Sequence, residues 1–433
     1  MVMPVRFGTD GIRGRASDEI TVDLAYRLGR AVASVFSVPV FVGYDTRESS
    51  PPLASAVLAG LRDGGAQGVN LGYFTTPGVA VIAQQRGGAG VVVSASHNPY
   101  YDNGLKVLGV GGAKLDHATE AAVESALNVA ESPASTDFEA VAIDETAEHE
   151  YVTHLRKLAP ADLSSLSLVV DCANGAASHV ARELFASTGA RFLTIHDQPD
   201  GRNINEGAGS THVESLVEAV RVAGADLGLA FDGDADRLIA VDSEGTVRDG
   251  DDLMVLFALD RQERAVLGGG LVVTSMSNLG LHRALDLAGV EIEETDVGDR
   301  NVLLALEEKS RILGGEQSCH VIFRDLAPTG DGLLTGLLLA ELLVRRGPLA
   351  ELAGGAWRRV PQELFSVSIE HFSDDEVQAL FNELLVVYEV ERHDVRLLVR
   401  PSGTEPLVRI MIEALNAEFV EVFAERLKSL YGT

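Results

Sequence analysis

Three similar α/β domains with mixed, mostly parallel sheets, followed by a smaller C-terminal α+β domain, are the fold class this sequence predicts. Three observations carry that expectation. A strand–helix–strand unit occurs three times along the chain, and each unit ends in a polar loop of unusual composition. The stretch after about Val360 breaks the pattern.

Each unit opens with an apolar run ending in a polar turn, at 38–45, 166–175 and 271–280. A helix-like segment follows, with apolar residues three and four apart: Leu53, Val57, Leu58 and Leu61; then Val180, Leu184 and Phe185; then Leu281, Leu285 and Leu287. A glycine that suits a helix C-terminus comes next, at Gly65, Gly189 and Gly289. A second strand-like stretch closes each unit, at 90–93, 227–231 and 312–313. Parallel strands need crossover helices, so this order predicts helix-covered sheets. The last stretch reads as helix 375–385, strands 395–399 and 407–412, and a helix from Ala417. The expected domains are 1–152, 153–249, 250–364 and 365–433, with a loop at 131–137.

Composition limits the function classes. The 433 residues include 35 basic and 64 acidic ones, a formal charge of −29, which disfavours nucleic acid or an anionic membrane as partner. A 46% hydrophobic content can bury large interiors. Cys172 and Cys319 cannot form a disulfide scaffold and fit a reducing compartment. The N-terminus lacks an apolar leader, and the most apolar run, 333–344, is interrupted by Glu341 and suits a buried helix. A cytoplasmic protein is expected. An acidic exterior is screened beyond about 8 Å at physiological salt, so it leaves an anionic substrate open.

The three closing loops are SASHNP at 94–99, DGDADR at 232–237 and GGEQSCH at 314–320. Ligands of α/β sheets bind beyond the carboxyl ends of strands, so these loops form three walls of one expected cleft. Asp232, Asp234 and Asp236 repel one another unless a cation sits among them, and oxygen donors favour Mg²⁺, Mn²⁺ or Ca²⁺. An EF-hand would need glycine and glutamate where Arg237 and Ser243 stand. An aspartyl-nucleophile phosphatase loop fits less well, because Asp236 stands where threonine or valine is expected. Ser96 lacks the G-x-S-x-G elbow of a hydrolase, yet beside a divalent metal a phosphate-carrying serine becomes chemically sensible.

A fourth constellation, RPSGTEPLVR at 400–409, offers Arg400 and Arg409 for bidentate phosphate contact. Ser402 and Thr404 add hydroxyls, and Gly403 permits close backbone approach. Arg13 lies in the glycine-rich FGTDGIRG at 7–14. Lys106, one of only five lysines, suits a charge clamp or, with a lowered pKa, a general base.

These loops, together with VVDCANGA at 169, NINEGAGSTH at 203, MSNLGLHRAL at 276, VGDR at 297 and TGDGLLT at 329, make the chain resemble the α-D-phosphohexomutases from end to end. The likeness is strongest to the bacterial phosphoglucosamine mutases. That resemblance implies four domains around a central cleft and a phosphorylated Ser96. One Mg²⁺ per subunit would be held by Asp232, Asp234, Asp236 and a phosphate oxygen on Ser96. The reaction would interconvert glucosamine 6-phosphate and glucosamine 1-phosphate through a hexosamine 1,6-bisphosphate, feeding UDP-N-acetylglucosamine and cell-wall synthesis. Arg13, Lys106 and His320 would serve proton transfer and charge stabilisation, with Arg237 positioning the loop or phosphate. Glu316 and Ser318 would bind sugar hydroxyls; Arg400, Ser402, Gly403, Thr404 and Arg409 would grip the distal phosphate. A homodimer and an activating kinase are partners compatible with this family. The alternatives are a phosphoglucomutase or phosphomannomutase of the same superfamily, or a phosphosugar-binding protein without turnover. Cys319 replaces a family glycine, and Tyr44 and Asn301 are further departures.

Overall fold

A computed structural model describes residues 5–8, 10–401 and 406–431. The first unit runs β1 (Ile12–Arg15), α1 (Val22–Val35), β2 (Val40–Tyr44), α2 (Ser50–Asp63), β3 (Gly68–Tyr73), α3 (Thr76–Gln85), β4 (Ala89–Val93), β5 (Asp102–Leu108) and α4 (His117–Val129). Its sheet has the order β1-β5-β4-β2-β3. The second comprises α5 (Ala147–Leu158), β6 (Ser167–Asp171), α6 (Ala177–Ala186), β7 (Arg191–Ile195), α7 (Glu214–Ala223), β8 (Leu227–Phe231), β9 (Leu238–Asp242) and β10 (Val247–Arg248), in the order β10-β9-β8-β6-β7.

The third unit comprises α8 (Gly250–Glu263), β11 (Leu271–Thr274), α9 (Leu279–Leu287), β12 (Ile292–Thr295), α10 (Asp299–Glu308), β13 (Leu313–Gly315), β14 (Val321–Phe323), α11 (Gly332–Arg346) and α12 (Leu349–Ala356). Its sheet order is β12-β11-β13-β14. The fourth is a three-stranded antiparallel sheet, β15 (Gln362–Ser368), β17 (Leu407–Ala414) and β16 (Val395–Pro401), with α13 (Asp374–Val387) and α14 (Ala417–Tyr431).

In each of the three α/β units a run of parallel strands is extended on one side by antiparallel ones. The central strands β4 (AGVVV) and β8 (LGLAF) are buried at every position, which explains their continuous apolar sequence. Helix starts carry side-chain caps: Thr75 for α3, Asp249 with Asp252 as a reciprocal box for α8, Asn278 for α9 and Asp331 for α11.

One apolar cluster runs from α3 through Tyr151 and Leu155 of α5 to the leucines of α11, so the three α/β units share an interior. The fourth unit has its own core around Phe365, Phe381, Phe419 and Phe423. It meets the third through polar contacts, with Arg396 paired to Glu294 and buried Glu413 accepting from the Leu279 amide.

Two expected boundaries fall inside elements. Helix α5 runs unbroken across 152/153, because Tyr151, Val152 and Leu155 are one buried face. Strand β15 straddles 364/365, since Phe365 and Val367 pack into the fourth core. The strand expected at 312–313 begins at Leu313 and continues to Gly315. The run 333–344 lies within the buried helix α11, and no helix among the described residues is long and apolar enough to cross a membrane.

Candidate active site

The loop after β4 carries Ser96 and the loop after β8 carries the three aspartates, and the packing of the first two sheets brings them together. Ser96 is 1% exposed, and its hydroxyl donates to Asp232 Oδ2 at 2.5 Å. Carboxylate oxygens of Asp232, Asp234 and Asp236 lie within 4.8 Å of one another, all buried. Burial first, then the charges of Asp236 and Asp234, push the Asp232 carboxyl up to about 8. Asp234 Oδ1 and Asp236 Oδ1 have no hydrogen-bond partner although buried. The orphaned oxygens of Asp234 and Asp236, converging with the Asp232 carboxylate, fit a hard divalent cation, because an unpaired buried acceptor is costly and a cation among the three carboxylates satisfies it.

Cations surround this cluster. Lys106, on β5, contacts Asp10 Oδ2 at 2.7 Å and Asp234 Oδ2 at 2.8 Å. Burial opposes its charge, but Asp10, Asp234 and Asp236 outweigh that and raise its pKa. Lys106 is therefore an ammonium at neutral pH, which supports the clamp and argues against a neutral general base. Arg13 pairs with Asp10, and Arg237 lies 3.9 Å from Asp236. Burial opposes ionisation of Arg237 as well, yet Asp236 and Asp232 raise its pKa.

His320 follows the turn between β13 and β14. Its Nδ1 lies 3.7 Å from Asp236 and its Nε2 3.8 Å from Asp299. Burial works against its charge, but Asp236, Asp299 and Glu316 lift it to about 9, which makes it an imidazolium. His97 is the opposite case: burial, then Arg237 and Arg13, lower it to about 4. One charged and one neutral imidazole thus flank the same space, a pairing suited to proton donation and acceptance.

Arg13, His97, Asp236, Arg237, Glu316 and Ser318 line a cavity of about 630 Å³. A second cavity of about 430 Å³ is lined by Glu316, Ser318, Arg359, Arg400 and Arg409. Glu316, Ser318 and Val297 belong to both, so the space runs from the metal loop to the fourth domain. Glu316 is oriented by the Gly298 amide, which donates to its Oε1 at 3.0 Å. Arg400 and Arg409 stand opposite each other on β16 and β17. Burial, then Arg409, lowers the Arg400 pKa, and its Nε is buried without a partner. An anion would relieve both. Ser402, Gly403 and Thr404 lie outside the described residues.

Cys319 has φ 74°, in the region that favours glycine, and is 2% exposed. Its carbonyl accepts from the Leu238 amide at 3.0 Å, tying this loop to the strand behind the aspartates. Burial raises the thiol pKa well above its usual range, so it is a poor nucleophile. Tyr44 is buried at the end of β2 against Tyr73, away from the cavity linings, and Asn301 bonds the Val297 carbonyl from within α10.

The sequence reading missed several contributors. Asp10 and Asp299 are bridged by Lys114, joining the first and third domains beside Lys106 and His320. Asp10 sits in FGTDGIRG and Asp299 in VGDR, so both stood within motifs already noticed. Thr76 donates to Asp234 at 2.5 Å, and Arg359 lines the second cavity while pairing with Asp249 at 2.6 Å. No local pattern marked these two.

Comparison with known proteins agrees over the whole chain. Models of phosphoglucomutase/phosphomannomutase α/β/α domains I, II and III match residues 4–134, 149–245 and 249–360, and the C-terminal domain model matches 368–429. The phosphoglucosamine mutase of an Exiguobacterium species is 44% identical, with 98% of each chain covered. That of Rhodococcus erythropolis is 43% identical, with 99% of each covered. Among solved structures, a phosphoglucomutase/phosphomannomutase family protein from Burkholderia thailandensis superposes with TM-score 0.81 at 26% identity, covering 99% of this chain and 98% of that one. Aspergillus fumigatus N-acetylphosphoglucosamine mutase, solved with GlcNAc-6P and magnesium, shares the fold at TM-score 0.67 and 19% identity, with 98% and 95% covered.

Proposed function

Since this chain belongs to the phosphoglucomutase/phosphomannomutase family, we propose that it interconverts glucosamine 6-phosphate and glucosamine 1-phosphate through a phosphorylated Ser96. The observation that carries this reading is the 2.5 Å contact of the Ser96 hydroxyl with Asp232, in a triad whose Asp236 lines a space that continues to Arg400 and Arg409. Asp232, Asp234 and Asp236 would hold Mg²⁺ together with a phosphate oxygen on Ser96. When bound, that ion offsets charge on the transferring phosphoryl group.

In the forward direction the C1 hydroxyl of glucosamine 6-phosphate forms a bond to the phosphorus on Ser96 as the P–Oγ bond breaks. The sugar hydroxyl loses its proton to a base in the cleft and Ser96 Oγ regains one, giving a 1,6-bisphosphate. Neutral His97 is an available acceptor, and charged His320 an available donor. The intermediate then presents its other end, and Ser96 Oγ gives up its proton to the base in the cleft and bonds to the 6-phosphoryl phosphorus. The P–O6 bond breaks with O6 taking a proton, which releases glucosamine 1-phosphate and restores the phosphorylated serine. Lys106, Arg13 and Arg237 hold positive charge beside the transferring group throughout. Glu316 and Ser318 lie between the two ends of the cavity, where they can read hydroxyls in either orientation, while Arg400 and Arg409, with Ser402, Gly403 and Thr404, take the distal phosphate. The reading includes a cytoplasmic location and four domains with boundaries near 146, 249 and 361.

Turnover of glucosamine, glucose and mannose phosphates under the same conditions tests the substrate. A kcat/KM for the glucosamine phosphates at least about tenfold above the others, a difference of about 1.4 kcal/mol, supports the proposal. Preference for glucose or mannose phosphate would assign the chain to another branch, and binding without turnover of any sugar would remove the mutase reading.

A further inference from the structure

A fully buried arginine is bonded to the backbone of the reactive loop itself. We infer that Arg47 and Asn205 are positioning residues for Ser96, holding its backbone in the turn that aims Oγ at the aspartates; this rests on the phosphoserine reading above. Ser96 has φ 54°, a left-handed conformation that a residue with a side chain adopts only when its surroundings enforce it.

The enforcing contacts come from two domains. Arg47 is 0% exposed, and its Nη2 donates to the carbonyls of Ser96 at 3.1 Å and Asn98 at 2.5 Å. Asn205 Nδ2 donates to the same two carbonyls at 2.9 and 3.1 Å. Arg47 is itself fixed by an ion pair with Asp45, which also accepts from Ser50 Oγ at 2.7 Å. A third element presses on the same spot: a Cβ at Gly233, between the metal-loop aspartates, would lie 2.5 Å from the Ser96 carbonyl oxygen. Only glycine lets the two loops approach so closely.

The pair therefore acts through geometry. Asp45 neutralises the guanidinium, so Arg47 adds little net field at Oγ. What it and Asn205 supply is a carbonyl turned away from the cleft and a hydroxyl turned into it. In-line phosphoryl transfer is sensitive to such placement, and a displacement of about 1 Å can cost about a hundredfold in rate.

Asn205→Gly is the informative variant, because glycine tolerates the φ of 59° at this position and removes the side chain that makes both hydrogen bonds without straining the backbone. Uptake of a phosphoryl group by the unmodified protein from glucose 1,6-bisphosphate is followed by intact mass, alongside steady-state kcat and KM and the melting temperature. The expected result is uptake and kcat slowed by about 10- to 100-fold with KM within about threefold of wild type. Arg47→Lys should fall between, since one ammonium retains charge but cannot reproduce the planar fork. Wild-type uptake and kcat in a folded Asn205→Gly protein, or an Arg47→Lys protein indistinguishable from wild type, would overturn the inference while leaving the mutase reading intact. No uptake by the wild type itself would overturn that reading, and the inference with it.

Discussion

Replacing Lys106 by methionine removes the cation on which the unloaded aspartate cluster most depends. The Lys106 side chain is 4% exposed and lies 2.7 Å from Asp10 and 2.8 Å from Asp234. Methionine fills much the same volume, so the cost is electrostatic rather than a cavity. Breaking a buried ion pair by removing one partner costs about 3–5 kcal/mol. Arg13 and Lys114 still hold Asp10, and Thr76 still donates to Asp234, which argues for the lower end, about 3 kcal/mol. Spread over the unfolding entropy of 433 residues, that is a fall in Tm of roughly 3 °C. The deficit should be largest in EDTA and shrink in millimolar Mg²⁺, because a bound cation replaces the missing charge; a ligand at a hundred times its Kd stabilises by about 2.7 kcal/mol. Turnover with saturating Mg²⁺ should still drop by about 10²–10³, the usual effect of removing a fixed charge-stabilising group. Thermal unfolding in EDTA and in Mg²⁺, with kcat under the second condition, reads all three. A Tm within about 1 °C of wild type in EDTA, or the same deficit with and without Mg²⁺, would refute this account of the cluster.

Three further outcomes are expected. Cys319→Gly relieves a left-handed backbone strain of about 1–2 kcal/mol but loses a buried thiol and gains unfolded-state entropy, so stability should change by less than about 1 kcal/mol and kcat by less than about threefold. A collapse of turnover in that variant would show that the thiol takes part in the chemistry, whereas Cys319→Val should destabilise, because a β-branched residue fits neither the φ nor the space. Arg400→Met should raise KM for the sugar phosphate by about 10- to 100-fold with a smaller effect on kcat, matching the loss of a charge-assisted phosphate contact; an unchanged KM would count against the grip. Finally, burial raises the Asp331 carboxyl to about 6, against the opposing Leu334 amide and the Tyr151 hydroxyl at 2.7 Å. A raised folded-state pKa gives stability that is full below the unfolded value near 4 and is lost as pH rises through about 6. Wild type should therefore lose on the order of 2–3 kcal/mol from this group between pH 4 and 7, and Asp331→Asn should lack that part of the Tm–pH slope; identical slopes would disprove it.

How far the sequence revealed the molecule depended on whether the signal was local. Strand β8 was read to the residue, because a buried parallel strand is a continuous apolar run stopped by a polar turn. Strands β16 and β17 of the fourth domain were also legible as short apolar runs, and the positive φ at Cys319 is the conformation expected at a position where the family resemblance implies glycine. Strand β15 escaped notice because QELFSVS buries only Phe365 and Val367, and its partner β17 lies about forty residues along the chain. The boundary at 152 failed for a related reason: α5 packs on α3 of the first unit and on α6 of the second, so neither composition nor periodicity changes there. In the site, Ser96 and the aspartates were visible because each lies in a short polar loop that directly follows an apolar strand. The partners of Lys106, and the grip of Arg47 and Asn205 on the serine loop, were not, since those contacts join positions up to 128 residues apart.

The central claim is that Ser96 carries the phosphoryl group that moves between sugar oxygens. Its most direct measurement is intact mass of the purified protein and of Ser96→Ala, before and after incubation with glucose 1,6-bisphosphate and then with glucosamine 6-phosphate. One phosphoryl group is expected on the wild type, absent from Ser96→Ala, and lost to the sugar on the second incubation. An active enzyme that carries no transferable phosphoryl group, or one whose phosphoryl group survives the Ser96→Ala change, would contradict it.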